Sequence, residues 1–156
     1  MRARAVIVAV VLLSGGLGSP GQETPDWRPT QLPGSRFMTV DILVDPRGEA
    51  LAAYQLRVQA RRGEVRIVGI EGGDPAAFHQ PPYYDPKAIQ QDRVILAAFQ
   101  AAPEIQLPTV KTRVATLHLL VKGSTAPEFD VKLQAAATGE GRRIPATASL
   151  SNRSNP

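Results

Sequence analysis

The chemistry-bearing side chains of this chain crowd into one stretch, Asp74 to Pro86, reading DPAAFHQPPYYDP. It contains Phe78, His79, Tyr83 and Tyr84, is bounded by an Asp-Pro pair at each end, and follows Glu71 closely. Aromatic rings stack on the apolar faces of sugars, and a stiff Pro81-Pro82 backbone would hold them at low entropic cost. Phe78, His79, Tyr83 and Tyr84 are therefore the candidate binding residues. The same rings have a structural use. Each buries about 150 to 250 Å² when covered, enough to pin a loop over the edge of a core. In extended backbone a neighbouring Tyr pair points to opposite sides, which lets one ring pack while the other faces water.

Glu71, Asp74 and Asp85 are the carboxylates beside these rings, and two of them flanking a glycosidic bond would suit a glycoside hydrolase. Asp before Pro is also an ordinary turn opener, because its side chain bonds nearby backbone N–H groups. That is the cheaper reading of Asp74 and Asp85. A serine nucleophile lacks its Gly-x-Ser-x-Gly elbow. His79 and His118 lie far apart in sequence, with no cysteine and no close acidic pair to complete a metal site. His118 falls on the polar side of an alternating segment, the place of a surface imidazole. No Asp-x-Asp-x-Asp-Gly calcium loop occurs, and EGGDP at residues 71–75 lacks the lysine and helix of a phosphate loop. The sequence thus predicts no enzyme, no cofactor and no metal.

The elements that must position these residues read as strands. FMTVDILV (37–44) is rich in β-branched residues and ends at the turn DPRGE. LAAYQLRVQA (51–60) alternates, with Ala52, Tyr54, Leu56, Val58 and Ala60 on one side and Gln55, Arg57 and Gln59 on the other, the period of a strand with one wet face. RRGE leads into VRIVGIEGG. RVILAAFQA (93–101) is apolar on both sides, which predicts a central strand. TRVATLHLLVKG and FDVKLQAA alternate again, and TGEGR is read as a tight turn into RIPATASL, where Ile144, Ala146, Ala148 and Leu150 share a face. At most one short helix is expected, around Pro86 to Gln91. Strands with one apolar face need a second sheet to cover it, so the pattern predicts an antiparallel β-sandwich.

The N-terminus stands apart. Arg2 and Arg4 precede the apolar run AVIVAVVLL and the small-residue stretch SGGLGSPG, the layout of a secretory signal peptide over residues 1–21. The run is too short to span a bilayer core of about 30 Å, so no stable membrane span is expected in the mature form, which is secreted or held at the cell envelope; a leader left uncut would instead tether a structural, envelope-associated domain. Residues 22–36 form a Pro-rich lead-in with few apolar side chains and Trp27 as its only possible anchor, residues 37–150 the folded domain, and residues 151–156 a polar tail. The net charge of +4 halves without the two leader arginines, and only Arg61, Arg62 and Arg66 bunch together, so nucleic acid is not an expected partner. Without cysteine an exported domain relies on its core, and 43% hydrophobic residues suffice for one.

The order of FMTVDILVDPRGEALAAYQLRVQA, VRIVGIEGGD, RVILAAF, TRVATLHLLVKG and FDVKLQAAATGEGRRIPATASL resembles the cohesin module of cellulosome scaffolds, over residues 37–150. The resemblance implies an all-β, antiparallel jelly-roll β-sandwich of about eight to nine strands, closing with a hairpin and related in fold to certain carbohydrate-binding modules. It further implies a secreted, non-catalytic recognition domain whose partner is a protein, a small calcium-loaded dockerin-like one, or a polysaccharide. The chain carries one such module, with no second copy and no Ser/Thr-rich spacer, so the multivalent arrangement of a scaffold is not expected of it.

Overall fold

The computed structural model describes residues 34–153 apart from Ala102. The expected signal peptide, Trp27 and nearly all of the lead-in, and the last three residues of the tail lie outside the described residues. Seven strands form: β1 (Ser35–Asp45), β2 (Ala53–Arg62), β3 (Glu64–Gly72), β4 (Arg93–Phe99), β5 (Thr112–Lys122), β6 (Glu128–Ala137) and β7 (Thr147–Arg153). They make two antiparallel sheets, one ordered β3-β5-β1-β7 and the other β4-β2-β6. Odd strands occupy one sheet and even strands the other, so every connection crosses between sheets and no strand pairs with its sequence neighbour. Among the described residues no helix is long and apolar enough to cross a membrane.

Alternation in the sequence becomes a two-sided core. Val40, Ile42 and Val44 of β1, Val65 and Ile67 of β3, and Leu117, Leu119 and Val121 of β5 face inward from the larger sheet. Tyr54, Leu56 and Val58 of β2 with Val94 and Leu96 of β4 meet them from the smaller one, in a single buried cluster. Each fully buried Leu, Ile or Val side chain contributes about 1.5–3 kcal/mol, and these replace the disulfides the chain lacks. The chain swaps sheets sharply where it must: Gly63 alone links β2 to β3, at φ 85°, in the left-handed region glycine tolerates.

Tyr54 ties the sheets together. Its hydroxyl, on β2, donates to the carbonyl of Val114 on β5 at 3.2 Å, and its ring meets Phe78 edge-on at 5.3 Å between centroids. Burial pushes its phenol well above the ordinary value near 10. From about pH 10 upward the unfolded chain releases this proton while the fold retains it. Stability is therefore whole below that pH and falls above it, by up to about 1.4 kcal/mol per pH unit. Tyr54→Phe is expected to flatten this alkaline decline in urea unfolding series taken across the range.

Several expectations are corrected. Seven strands form among the described residues, in place of the eight to nine that the resemblance implies. Residues 81–86 contribute only an isolated bridge, Tyr83 to Ala97, and residues 143–146 only the bridge Ala137 to Arg143. The expected closing hairpin is cut to a tight turn that closes with that bridge, because β6 and β7 then part into different sheets. The helix expected over Pro86–Gln91 is a single 3₁₀ turn, Pro86–Ala88. Ser151–Arg153 of the expected tail belong to β7, where Arg153 binds Asp41. Finally, β4 is an edge strand and not a central one.

Candidate functional site

The proline-rich loop sorts its aromatic side chains. After Gly73, whose N–H donates to the Phe78 carbonyl at 2.7 Å, Ala76–Phe78 form a 3₁₀ turn. That turn drives Phe78 into the core, where it is 3% exposed against Tyr54. Phe78 is therefore an anchor without a face for a ligand, a correction to its candidacy as a binding residue. His79 is exposed beside it. The chain then runs extended past the buried Pro82, and Tyr83 exchanges two backbone hydrogen bonds with Ala97, at 2.7 and 2.9 Å. Directly opposed residues of an antiparallel pair project to the same side, so Tyr83 stands on the outer face beside Ala97, 80% exposed. Tyr84 turns the other way and packs half-buried against the core.

Tyr83 thus joins two residues that the sequence reading did not single out. On β4, Val94 and Leu96 point inward, leaving Ile95, Ala97 and Phe99 outward. Ile95 and Phe99 are 45% and 64% exposed. They flank Ala97 at diagonal positions to Tyr83, within reach of one another's side chains, and the small Ala97 lies between them. The unbroken apolar run of β4 was the signal. Read as burial on both faces, it instead marks one face in the core and one face bare.

A polar margin borders this patch. Across from Ala97, Ile95 and Arg93 stand Gln55, Arg57 and Gln59 of β2. Beyond them on β6 lie Lys132, opposite Arg57, and Asp130, opposite Gln59. Gln55 Nε2 donates to Gln134 Oε1 at 2.9 Å, while Asp130 accepts from Arg61 at 2.9 Å and has Arg57 at 3.7 Å. Between β4 and the turn after Tyr84 runs a cleft of about 410 Å³, lined by Asp85, Lys87, Arg93 and Ile95 among others. The whole is a flat face with an aromatic and aliphatic centre and an amide and guanidinium rim, the composition typical of protein-binding surfaces.

The three carboxylates do not converge. Asp85 Oδ1 accepts from the Lys87 N–H at 2.9 Å, capping the 3₁₀ turn in the manner of a turn aspartate. Asp74 is ion-paired to Arg113, and that hydrogen bond holds its carboxyl below the usual range, in the form least suited to donate a proton. Glu71 sits on the outer face of the other sheet, 3.0 Å from His118 Nε2. Among the described residues no group of three His, Cys, Asp or Glu side chains is placed to hold a metal. No protein-family model matches the chain, and comparisons with curated proteins and with solved structures return no match.

Proposed function

We propose that this chain is a secreted, non-catalytic recognition domain of cohesin-like type, docking a protein partner on the outer face of its three-stranded sheet. One observation carries the reading: Tyr83, Ile95 and Phe99 stand exposed together on a flat sheet face, which a water-soluble domain has no folding reason to leave bare. The Asp74–Arg113 pair and the turn role of Asp85 weigh against the hydrolase alternative. The jelly-roll assignment draws support from the crossing of every connection between sheets, with the Tyr83–Ala97 bridge as the remnant of a further edge strand. Export draws support from the leader-like N-terminus. The partner presents apolar side chains to the patch and carboxylates to Arg57, Arg93 and Lys132.

The test is capture from secreted extract with wild-type protein and with an Ile95→Asp, Phe99→Asp double variant, followed by titration of the purified captured protein. Because both side chains are exposed, the double variant is expected to melt like wild type. Loss of two central contacts is expected to weaken binding by roughly a hundredfold or more. A dockerin-like partner is folded by its calcium, so chelation is expected to abolish capture as well. Equal capture by the double variant overturns the assignment of the face.

A further inference from the structure

The free margin of β4 is closed along one half and open along the other. In an antiparallel ladder alternate residues turn their N–H and C=O toward the partner strand, and the residues between turn theirs away. The bonds from Ala60 N–H to Asp92 O and from Gln100 N–H to Ala52 O, at 2.9 and 2.8 Å, fix that phase at both ends of the β2–β4 pairing. Val94 and Leu96 therefore bond β2, while Arg93, Ile95, Ala97 and Phe99 aim their backbone groups off the sheet. Ala97 spends both of its groups on Tyr83. Continued toward the N-terminus, the Tyr83 register would set Pro81 against Phe99, and proline has no N–H to give. Continued the other way, it would set Asp85 against Ile95, but Asp85 caps the Pro86–Ala88 turn and the chain leaves the edge. It crosses to β3 of the other sheet, where Gln90 N–H donates to Ile67 O at 2.7 Å and Ile67 N–H donates to Gln91 O at 2.8 Å. This departure opens the cleft between Asp85 and Lys87 on one side and Arg93 and Ile95 on the other. Along it the N–H and C=O of Arg93 and Ile95 meet no backbone partner among the described residues.

We propose that an extended segment of the protein partner completes this open half-edge, adding itself to β4 as a further strand. The inference rests on the reading of this sheet as a docking surface and adds the backbone conformation of what docks. A bare row of N–H and C=O groups on a sheet margin is a template for another backbone. One residue of the segment exchanges both hydrogen bonds with Ile95 and the second residue along exchanges both with Arg93, in the antiparallel sense that Tyr83 already takes. Opposed residues share a face, so the first of the two projects outward beside the exposed Ile95 and Tyr83 and is apolar. The other stands across from the exposed Arg93 guanidinium and is acidic. The slot is held open before anything enters it, because the exchange of bonds between Ile67 and Gln90–Gln91 fixes the chain on its far side. A second copy of this chain fits the margin poorly: pairing of two β4 edges about Ile95 would set Arg93 against the Ala97 whose groups Tyr83 already fills.

Titration of the ¹⁵N-labelled protein with the peptide acetyl-Val-Thr-Glu-Thr-amide tests this. Binding at millimolar concentration is expected to shift the amides of Ile95 and Arg93 and to slow their exchange with solvent. Val94 and Leu96, already bonded to β2, are expected to exchange as before. N-methylation of the peptide's Val or Glu removes a donor aimed at β4 and is expected to weaken binding about tenfold. N-methylation of the Thr between them, whose N–H points away, is expected to leave binding unchanged. Lys in place of the Glu is expected to bind about threefold more weakly. Four results overturn the proposal: no change at Ile95 or Arg93 with tens of millimolar peptide, equal sensitivity to N-methylation at all three positions, equal binding with Lys and Glu, or concentration-dependent shifts of Ile95 and Arg93 in the protein alone, which would give the edge to a second copy. The capture assay scores the Ile95 and Phe99 side chains and this one scores backbone groups, so failure of the strand reading is distinct from failure of the docking face.

Discussion

Gly73→Ala is expected to abolish cooperative folding. Gly73 is buried where β3 hands the chain to the proline-rich loop, and its N–H is spent on the Phe78 carbonyl at 2.7 Å. A Cβ there would overlap the Arg113 carbonyl oxygen and stand 2.7 Å from Val114 Cα. These are backbone atoms of β5, a strand hydrogen-bonded on both sides, so neither can yield cheaply. Relief requires parting β5 from the loop, at a cost of about 4 kcal/mol or more, comparable with the 5–15 kcal/mol that holds an ordinary domain together. Gly48→Ala is the control. Its φ is 89° but nothing lies within 4 Å of an added Cβ, so it is expected to cost only about 1–2 kcal/mol. Urea unfolding of the two variants side by side checks the difference, and a wild-type melt for Gly73→Ala contradicts the close approach.

Phe78→Ala is expected to destabilise the protein by about 3–5 kcal/mol, while Tyr83→Ala stays within about 0.5 kcal/mol of wild type. The two rings are five residues apart in one loop, yet one is 3% and the other 80% exposed. Removing Phe78 empties a site walled by Tyr54 and frees the loop that carries Tyr83 to the sheet edge. Phe78→Ala is therefore expected to weaken partner binding indirectly, in step with its loss of stability. Tyr83→Ala is expected to weaken binding alone. Thermal melts paired with binding titrations separate the two roles, and comparable melting temperatures for the two variants contradict this division.

The one-sided strands were legible because their alternation is a purely local property. Tyr54, Leu56 and Val58 of β2 and Leu117, Leu119 and Val121 of β5 point inward as their spacing required. Pairing was not legible. A tight turn such as TGEGR suggests a hairpin, but whether the next strand stays in the same sheet depends on contacts distant in sequence, and here β7 finds β1 instead of β6. Bulges were equally invisible. The irregularity between Gln55 and Leu56 opposite β6 shifts the phase of that strand, so that Ala136 is buried although the alternation Phe129, Val131, Leu133 continues to Ala135.

At the candidate site the sequence located the right loop but ranked its rings wrongly. Tyr83 reaches the surface and Phe78 does not, since the direction of each side chain is set by the 3₁₀ turn and the Tyr83–Ala97 bridge. Ile95 and Phe99 escaped notice for a related reason. An apolar residue looks the same in sequence whether a second layer covers it or not, and only the packing of the two sheets, which covers the inner face of β4 and leaves its outer face bare, decides which.

The pairing of β1 with β7, Thr39 against Arg153 through Asp45 against Thr147, gives the molecule a late-closing seam. A polypeptide made from its N-terminus forward leaves the outer margin of β1 bare until β7 emerges. No two consecutive strands pair with each other, so ordering must wait for encounters between remote segments, which places folding in the slow, millisecond-to-second class of β topologies. The seam between β1 and β7 therefore joins the first described strand to the last, and the four-stranded sheet gains its β7 edge only after every other strand has been made.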